Sequence, residues 1–296
     1  MSSAPVLGTS MLRRYLACIR YRDAIVLQGP PLFGVAFALR DVTLAAVGTL
    51  LVFLPASLLL VAHIFTLNDW ANVAQDLNDP NKAGDVFVTK GISRAQLGGL
   101  CAAFLVVSLL LFSVLPGRTL ALAVAIAALG WVYSHPLLLA KGIPLVSSGP
   151  HLIGGVLHFL LGYSLFMAID GRGILIALFF ALTFTAGHLN QEVRDHDGDR
   201  RNGIQTNAVR FGTAATFVAG LVVFTAAYAH LAVLAGLGLI PPAQGFLAAL
   251  YPIHLFWSVR TLRAGLTFES VSRFQRQYRA LYAVIGLVML LTLLAH

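Results

Sequence analysis

Two acidic stretches contain most of the residues in this chain that could do chemistry. The first, residues 68–79, has Asp69, Asn72 and Asp76 at positions i, i+3 and i+7, directly after Asn68. This spacing predicts that the three side chains share one face of a helix. The second, residues 190–203, repeats the spacing with Glu192, Asp195 and Asp199.

Acidic residues are scarce elsewhere in the chain. Eight of the twelve fall in or beside these stretches: Asp69, Asp76, Asp79, Asp85, Glu192, Asp195, Asp197 and Asp199. Each stretch follows a long apolar run. This concentration of carboxylates predicts that a cation is held between the two clusters.

The residue types favour Mg²⁺ together with a diphosphate. Mg²⁺ binds through one or two carboxylates, waters and substrate phosphates. The metal neutralises a diphosphate and makes it a better leaving group. Basic residues that could reach the phosphates lie in the loops that we expect on the same side of the membrane as the acidic stretches: Lys82, Lys90, Arg94, Lys141, Arg194, Arg200, Arg201 and Arg210. A lipid diphosphate fits both the charges and the apolar surroundings.

Composition places the site in a membrane protein. The chain is 58% hydrophobic and 11% charged, with a mean hydropathy of +0.83, whereas soluble domains carry about 25% charged residues. Nine apolar runs are long enough to span a bilayer: 21–39, 42–66, 95–115, 119–135, 150–168, 173–190, 213–238, 242–262 and 277–295. We expect a bent or broken first helix, because Gly29-Pro30-Pro31 interrupts it.

Charge sets the orientation that we expect. With nine spans and the N-terminus inside, 17 of the 20 basic residues fall on one face, which the positive-inside rule makes cytoplasmic. Both acidic stretches are then cytoplasmic and the C-terminus extracytoplasmic. The net charge of +8 is thereby explained by topology, so we expect membrane lipids and not nucleic acid as partners.

Several motifs resemble those of the UbiA-type intramembrane prenyltransferases. Asn68-Asp69-x-x-Asn72-x-x-x-Asp76 is similar to the family's first acidic motif, and Thr89 to Arg94 resembles the turn that follows it. Glu192-x-x-Asp195-x-x-Gly198-Asp199 resembles the second motif. Tyr133-Ser134-x-Pro136, followed by Lys141, is similar to the Tyr-containing loop between the fourth and fifth helices.

The resemblance implies one all-α membrane domain over residues 1–296, with an N-terminal arm at about 1–20. Its nine helices would surround a central cavity that opens to the cytoplasm, where an allylic cation forms and an acceptor attacks it. The implied catalytic residues are Asp69, Asp76, Asp195 and Asp199, and with Asn72 and Glu192 they are the implied Mg²⁺ ligands. Contacts to the prenyl diphosphate are expected from Asn68, Asn72, Tyr133, Lys141, Lys90, Arg94, Arg200 and Glu192.

The sequence also departs from the family pattern. Asn72 stands where the family has aspartate, an Arg-Pro pair after the first motif is missing, and Gln191-Glu192 replaces a common Lys-Asp pair. Three functions therefore stay open. The leading one is prenyl transfer to a hydrophobic or aromatic acceptor, the second is cyclisation of the prenyl chain without an acceptor, and the third, less favoured, is transport.

The candidate residues also have purely structural interpretations. The acidic residues could be solvated helix ends, but their paired identical spacing favours a functional role. Asn68 and Asn72 could be capping residues, and Lys141 could be a topological anchor. The arginines from Arg260 to Arg279 are expected to set topology and to contact lipid headgroups. We expect the membrane histidines, among them His188, to serve packing.

Overall fold

The structure, a computed structural model, describes residues 14, 15, 18–134 and 142–294, without the side chain of Arg22. The described residues form helices and turns and include no strand. In chain order the α-helices are α1 (Tyr21–Val26), α2 (Gly29–Ala38), α3 (Leu44–Ala71), α4 (Val73–Asn78), α5 (Arg94–Phe112), α6 (Gly117–Ser134), α7 (Gly149–Tyr163), α8 (Gly171–Arg201), α9 (Asn207–Phe211), α10 (Thr213–Gly236), α11 (Pro242–Gly245), α12 (Tyr251–Arg263) and α13 (Phe268–Leu294). Short 3₁₀ helices cover Ala83–Asp85, Phe87–Lys90, Val146–Ser148 and Phe246–Leu250.

The chain divides into two compact units. The first unit comprises Met1–Gln28 and Val42–Leu139, and the second comprises Gly29–Asp41 and Ala140–His296. The first acidic stretch belongs to the first unit and the second stretch to the second unit. The expectation of a single membrane domain stays a prediction.

In the first unit, α3 is the helix against which α5 and α6 pack. It begins at the Thr43 cap, whose side-chain oxygen accepts the Ala46 N–H at 3.1 Å. Within the apolar contact, the Ser108 hydroxyl donates to the Ala56 carbonyl oxygen at 2.8 Å, which satisfies a polar side chain in a buried position. This packing fixes α3, whose last turn bears Asp69.

In the second unit, α8 packs against α7, α10 and α13, and α2 packs against α7. The α2–α7 contact is close because both helices have a glycine there. A Cβ atom at Gly34 would overlap the Phe159 carbonyl oxygen, and one at Gly162 would overlap the Pro31 carbonyl oxygen. Small residues of this kind let membrane helices approach each other closely.

Within the described ranges, six helices are long and apolar enough to cross a membrane: α3, α5, α6, α8, α10 and α13. The break predicted in the first apolar run is confirmed, because α1 ends at Val26 and α2 begins at Gly29. The run at 150–168 forms the 15-residue α7. The run at 242–262 is divided into α11, a 3₁₀ helix and α12. The count of nine spans and the central cavity stay predictions.

Candidate active site

The first acidic stretch lies at a helix junction. α3 ends at Ala71 and α4 begins at Val73, with Asn72 between them. The stretch therefore spans two helices and not the single helix that we predicted. The Asn72 N–H donates to the Asn68 carbonyl oxygen at 3.0 Å, and the Asp76 N–H donates to the Asn72 carbonyl oxygen at 2.9 Å. These bonds carry the helical pattern through the junction and preserve the predicted spacing.

Asn72 has a structural role at this junction. Its Nδ2 donates to the Asn68 carbonyl oxygen at 2.8 Å, and the residue is buried. The same carbonyl oxygen accepts the Asn72 backbone N–H, so the side chain adds a second hydrogen bond at the end of α3. An ionised aspartate has no donor to offer. The amide oxygen is the Asn72 side-chain atom suited to binding a cation.

A positive charge stands beside this stretch. Arg20 Nη1 lies 3.9 Å from Asp69 Oδ1, and the Arg20 guanidinium also donates to Asp23 Oδ2 at 3.0 Å. The guanidinium lies over the Phe65 ring, 4.7 Å from its centre. From sequence, Arg20 is interpreted only as one of the basic residues that set topology. Its position makes it a further candidate for contacting a phosphate group.

Lys90 and Arg94, two of the predicted phosphate contacts, are each in contact with a neighbouring side chain of the first unit. Lys90 Nζ lies 3.7 Å from Asp85 Oδ1. The Arg94 guanidinium lies 4.4 Å from the centre of the Trp70 ring, and Trp70 follows Asp69 in α3. Arg94 is thus held close to the acidic stretch through an aromatic contact.

The second acidic stretch lies in the last turns of α8, which runs without a break from Gly171 to Arg201. Glu192, Asp195 and Asp199 therefore have the spacing that we predicted, on one continuous helix. Glu192 and Asp199 are buried, and Asp195 is partly buried. Arg200 is exposed in the last turn.

Glu192 is surrounded by hydrogen-bond donors. Its Oε1 accepts the Ser147 hydroxyl at 2.9 Å and lies 3.1 Å from His188 Nε2. Its Oε2 accepts the backbone N–H of Asn207 at 2.9 Å. The His188 ring stacks on His151, with ring centres 3.6 Å apart. A carboxylate this well bonded is the expected form of a buried acid.

Asp195 is paired with the residue before it. Arg194 donates from Nε to Asp195 Oδ1 at 2.7 Å and from Nη2 to Oδ2 at 3.0 Å. Arg194 Nη1 donates to Gln275 Oε1 on α13 at 3.0 Å. Both oxygens of Asp195 are thus in contact with a guanidinium, in the geometry that arginine favours with carboxylates.

The remaining predicted residues come from the loop between the fourth and fifth expected helices. Tyr133 is partly buried at the end of α6. Lys141 lies outside the described residues, so its contact with a diphosphate stays a prediction.

Several polar residues of these sites escaped the sequence analysis: Ser147, Asn207, Gln275 and Arg20. Ser147 and Asn207 come from segments distant in sequence from Glu192, and nothing in their spacing marks them. Arg194, by contrast, was named from sequence as a possible phosphate contact, and it directly precedes Asp195 in the motif.

The donor set of each stretch suits a hard cation that is bound together with a substrate. Within either unit, the described residues include no group of three His, Cys, Asp or Glu side chains able to hold a metal ion by themselves. Mg²⁺ does not need such a group, because it keeps waters and takes substrate phosphates as ligands. Asp69, Asp76, Asp195 and Asp199 supply oxygen atoms of the right chemistry.

These features define an α-helical membrane protein with acidic sites at the ends of two long apolar helices. The model of the UbiA prenyltransferase family matches residues 29–274. The chain belongs to the UbiA prenyltransferase family, and its apolar helices agree with an integral membrane protein.

Solved structures show the same fold. A UbiA homolog from Archaeoglobus fulgidus bound to GPP and Mg²⁺ matches with a TM-score of 0.74 at 19% identity, over 94% of this chain and 99% of that one. The same homolog bound to DMAPP and Mg²⁺ gives 0.71 at 19% identity over the same shares. A structure described for digeranylgeranylglyceryl phosphate synthase gives 0.70 at 15% identity, over 96% and 99%. No curated protein matches the sequence.

Proposed function

We propose that this protein transfers a prenyl group from a prenyl diphosphate to an acceptor, in a reaction that depends on Mg²⁺. The observation that carries the proposal is the family match, whose span of residues 29–274 includes both acidic stretches. The similar structures that contain DMAPP or GPP with Mg²⁺ support it. The carboxylates Asp69, Asp76, Asp195 and Asp199 are all present.

Each stretch has a part in binding the diphosphate. Asp69 and Asp76, with the amide oxygen of Asn72, are the proposed ligands of the first stretch, and Asp195 and Asp199 those of the second. When bound, Mg²⁺ neutralises the diphosphate and makes it a better leaving group. Further phosphate contacts are proposed for Asn68, Arg20, Lys90, Arg94, Tyr133, Lys141 and Arg200.

The chemical step breaks the bond between the allylic carbon and the diphosphate oxygen. The bonding electrons leave with the diphosphate, and an allylic cation remains. An electron-rich acceptor, hydrophobic or aromatic, then forms the new carbon bond and releases a proton. The apolar helices provide the surroundings for the prenyl chain and exclude water, which would otherwise capture the cation.

The amide side chain of Asn72 favours a second candidate function, cyclisation of the prenyl chain. Its neutral amide replaces a carboxylate of the family motif, which alters the charge around the diphosphate. In a cyclase the chain's own double bonds capture the cation and no acceptor is needed. The two functions share the metal site and differ only in what attacks the cation.

The proposed placement in the membrane follows from the charge distribution. Seventeen of the twenty basic residues lie on the face that also carries both acidic stretches when nine spans are counted. That face is cytoplasmic, so the diphosphate approaches from the cytoplasm and the C-terminus lies on the other side.

Product analysis tests the function. The purified protein is incubated with Mg²⁺ and DMAPP, GPP or longer prenyl diphosphates, with and without aromatic acceptors, and diphosphate and organic products are quantified. Transfer gives diphosphate release that requires an acceptor and stops when Mg²⁺ is chelated. Cyclic products without an acceptor would identify a cyclase. Absence of diphosphate release from every substrate at every Mg²⁺ concentration would exclude both.

A further inference from the structure

Glu192 connects three segments of the second unit. Its carboxylate on α8 accepts bonds from Ser147, in the 3₁₀ helix before α7, and from the first backbone N–H of α9 at Asn207. The Thr206 side chain makes no capping bond to α9. Glu192 therefore satisfies the first N–H of this five-residue helix, which has no acceptor within the helix.

Asn207 extends this connection to a strained turn. Its Oδ1 accepts the Leu145 backbone N–H at 2.7 Å, and its Nδ2 donates to the Ser147 hydroxyl oxygen at 3.2 Å. Leu145 has φ 66° and ψ −46°, and the Val146 N–H donates to the Pro144 carbonyl oxygen at 2.8 Å. These are the marks of a classic γ-turn, a rare and strained conformation for a residue with a side chain.

Backbone strain of this kind persists only where the surroundings fix the conformation. Here the fixing contacts come from Asn207 and, through Ser147 and the start of α9, from Glu192. The side chains of Glu192, Ser147 and Asn207 are buried, and the bond to the Leu145 N–H is partly buried. Water therefore does not readily replace a lost partner. Each oxygen of the Glu192 carboxylate thus accepts a hydrogen bond from this protein.

We infer that Glu192 is a positioning residue and not a metal ligand: it fastens the strained turn at Leu145 and the start of α9 to α8, beside Asp195 and Asp199. The inference rests on the proposed function. It divides the second acidic stretch into two ligands and one residue that holds their surroundings in place.

A measurement of metal binding distinguishes a positioning role for Glu192 from a role as a metal ligand. Mn²⁺ binding to the purified protein with GPP is measured by electron paramagnetic resonance for the wild type, Glu192→Gln and Asp195→Asn. Loss of a ligand weakens Mn²⁺ binding by about tenfold or more in Asp195→Asn. The Mn²⁺ affinity of Glu192→Gln is expected to stay within about threefold of the wild-type affinity. Equal weakening in both variants would overturn the inference.

Hydrogen exchange tests the fastening itself and needs no metal. In Glu192→Gln one acceptor oxygen becomes an NH2 group, so the Ser147 hydroxyl and the Asn207 N–H no longer each have an acceptor oxygen of their own. Exchange over residues 142–149 and 205–209 therefore speeds up by about tenfold. Asn207→Ala is the matched control, because it removes the contacts to Leu145 and Ser147 and leaves every carboxylate in place. It must reproduce the faster exchange over 142–149. Unchanged exchange in Glu192→Gln would contradict the inference.

Rescue distinguishes positioning from a general loss of structure. Leu145→Gly removes the steric penalty of the positive φ, so the turn no longer depends on its fastening. We expect kcat per Mn²⁺-binding site to fall in Glu192→Gln and to recover in the double variant with Leu145→Gly. No recovery would overturn the inference, since only a positioning role can be restored from Leu145. A wild type without turnover would contradict the proposed function, while hydrogen exchange would still decide the role of Glu192.

Discussion

Arg194 holds both carboxylate oxygens of Asp195, at 2.7 Å and 3.0 Å, and it does so from the adjacent position in the same helix. Its remaining Nη atom is fixed by Gln275 of α13, and its guanidinium lies 5.9 Å from the centre of the Phe268 ring. Three hydrogen bonds therefore immobilise a positive charge at one of the proposed metal ligands.

Replacing Arg194 should strengthen metal binding. In Arg194→Gln the positive charge beside Asp195 is gone, so Mg²⁺ no longer meets that repulsion. We expect the Mg²⁺ concentration for half-maximal binding to fall by roughly three- to tenfold, given partial screening by solvent. Mn²⁺ competition measures this directly. Arg201→Gln, an exposed arginine on the same helix, is the control and should leave the affinity unchanged. Weaker binding in Arg194→Gln would mean that the guanidinium chiefly orients Asp195.

The four aspartates should each be needed for turnover. Asp69→Asn, Asp76→Asn, Asp195→Asn and Asp199→Asn keep the side-chain shape and remove one negative charge. Because metal binding supplies several kcal/mol to departure of the diphosphate, we expect kcat/KM to fall by about a hundredfold or more in each. Asp197→Asn is the matched control, since the Asp197 side chain is 82% exposed. A similar loss in that control would show that the assay responds to charge in general.

Asn72→Asp should have two opposing effects. The added charge should lower the Mg²⁺ concentration needed for half-maximal activity, because carboxylates bind Mg²⁺ more strongly than amides. The bond from Nδ2 to the Asn68 carbonyl oxygen is lost, so the protein should be less stable by about 1 kcal/mol. Magnesium titration and thermal denaturation measure the two effects separately. Asn72→Ala loses the same bond without gaining charge, and isolates the second effect. Inactivity of Asn72→Asp at every Mg²⁺ concentration, with the protein folded, would contradict the weak-ligand interpretation.

The α2–α7 contact should tolerate no added side chain. Gly34→Ala would force a Cβ against the Phe159 carbonyl oxygen, and such overpacking costs about 1–3 kcal/mol. We expect the temperature of thermal denaturation in detergent to fall by several degrees. Gly236→Ala, whose Cβ would meet no atom within 4 Å, is the control and should denature as the wild type does. An unchanged denaturation temperature in Gly34→Ala would show that the two helices can move apart without loss of stability.

Topology is open to a direct measurement. With nine spans, a reporter fused after His296 should be extracytoplasmic, and one inserted between residues 80 and 90 should be cytoplasmic. Finding both reporters on the same side would remove the nine-span arrangement. It would leave the family and the fold of each unit unaffected.

The features predicted well from sequence are those that depend on local pattern. Apolar continuity predicted the long helices, and Gly29-Pro30-Pro31 predicted the break that separates α1 from α2. The structure places the two prolines in the first turn of α2, where a missing N–H costs nothing, so the break falls just before them.

The features that could not be predicted depend on tertiary contacts. Glu192 has the same spacing to Asp195 as Asp69 has to Asn72, and the different role that we propose for Glu192 rests on its contacts with Ser147 and Asn207. The junction at Asn72 could not be predicted either. A helix that ends and resumes with its hydrogen bonds preserved does not change the periodicity of polar and apolar residues. Spacing predicts which residues share a face of a helix, and it does not predict which of them meet partners from elsewhere in the chain.

The length of α8 has a consequence for where its charges lie. At 1.5 Å per residue, Glu192 is about 32 Å along the helix from Gly171, and the hydrocarbon layer of a bilayer is about 30 Å thick. A helix that starts at one edge of this layer therefore reaches the opposite edge as its acidic turns begin. On the proposed placement, Asp195 and Asp199 would stand at the depth of the lipid phosphates, where the diphosphate of the proposed substrate would lie. The hydrocarbon chain of that substrate would have the full length of the apolar turns of α8 beside it.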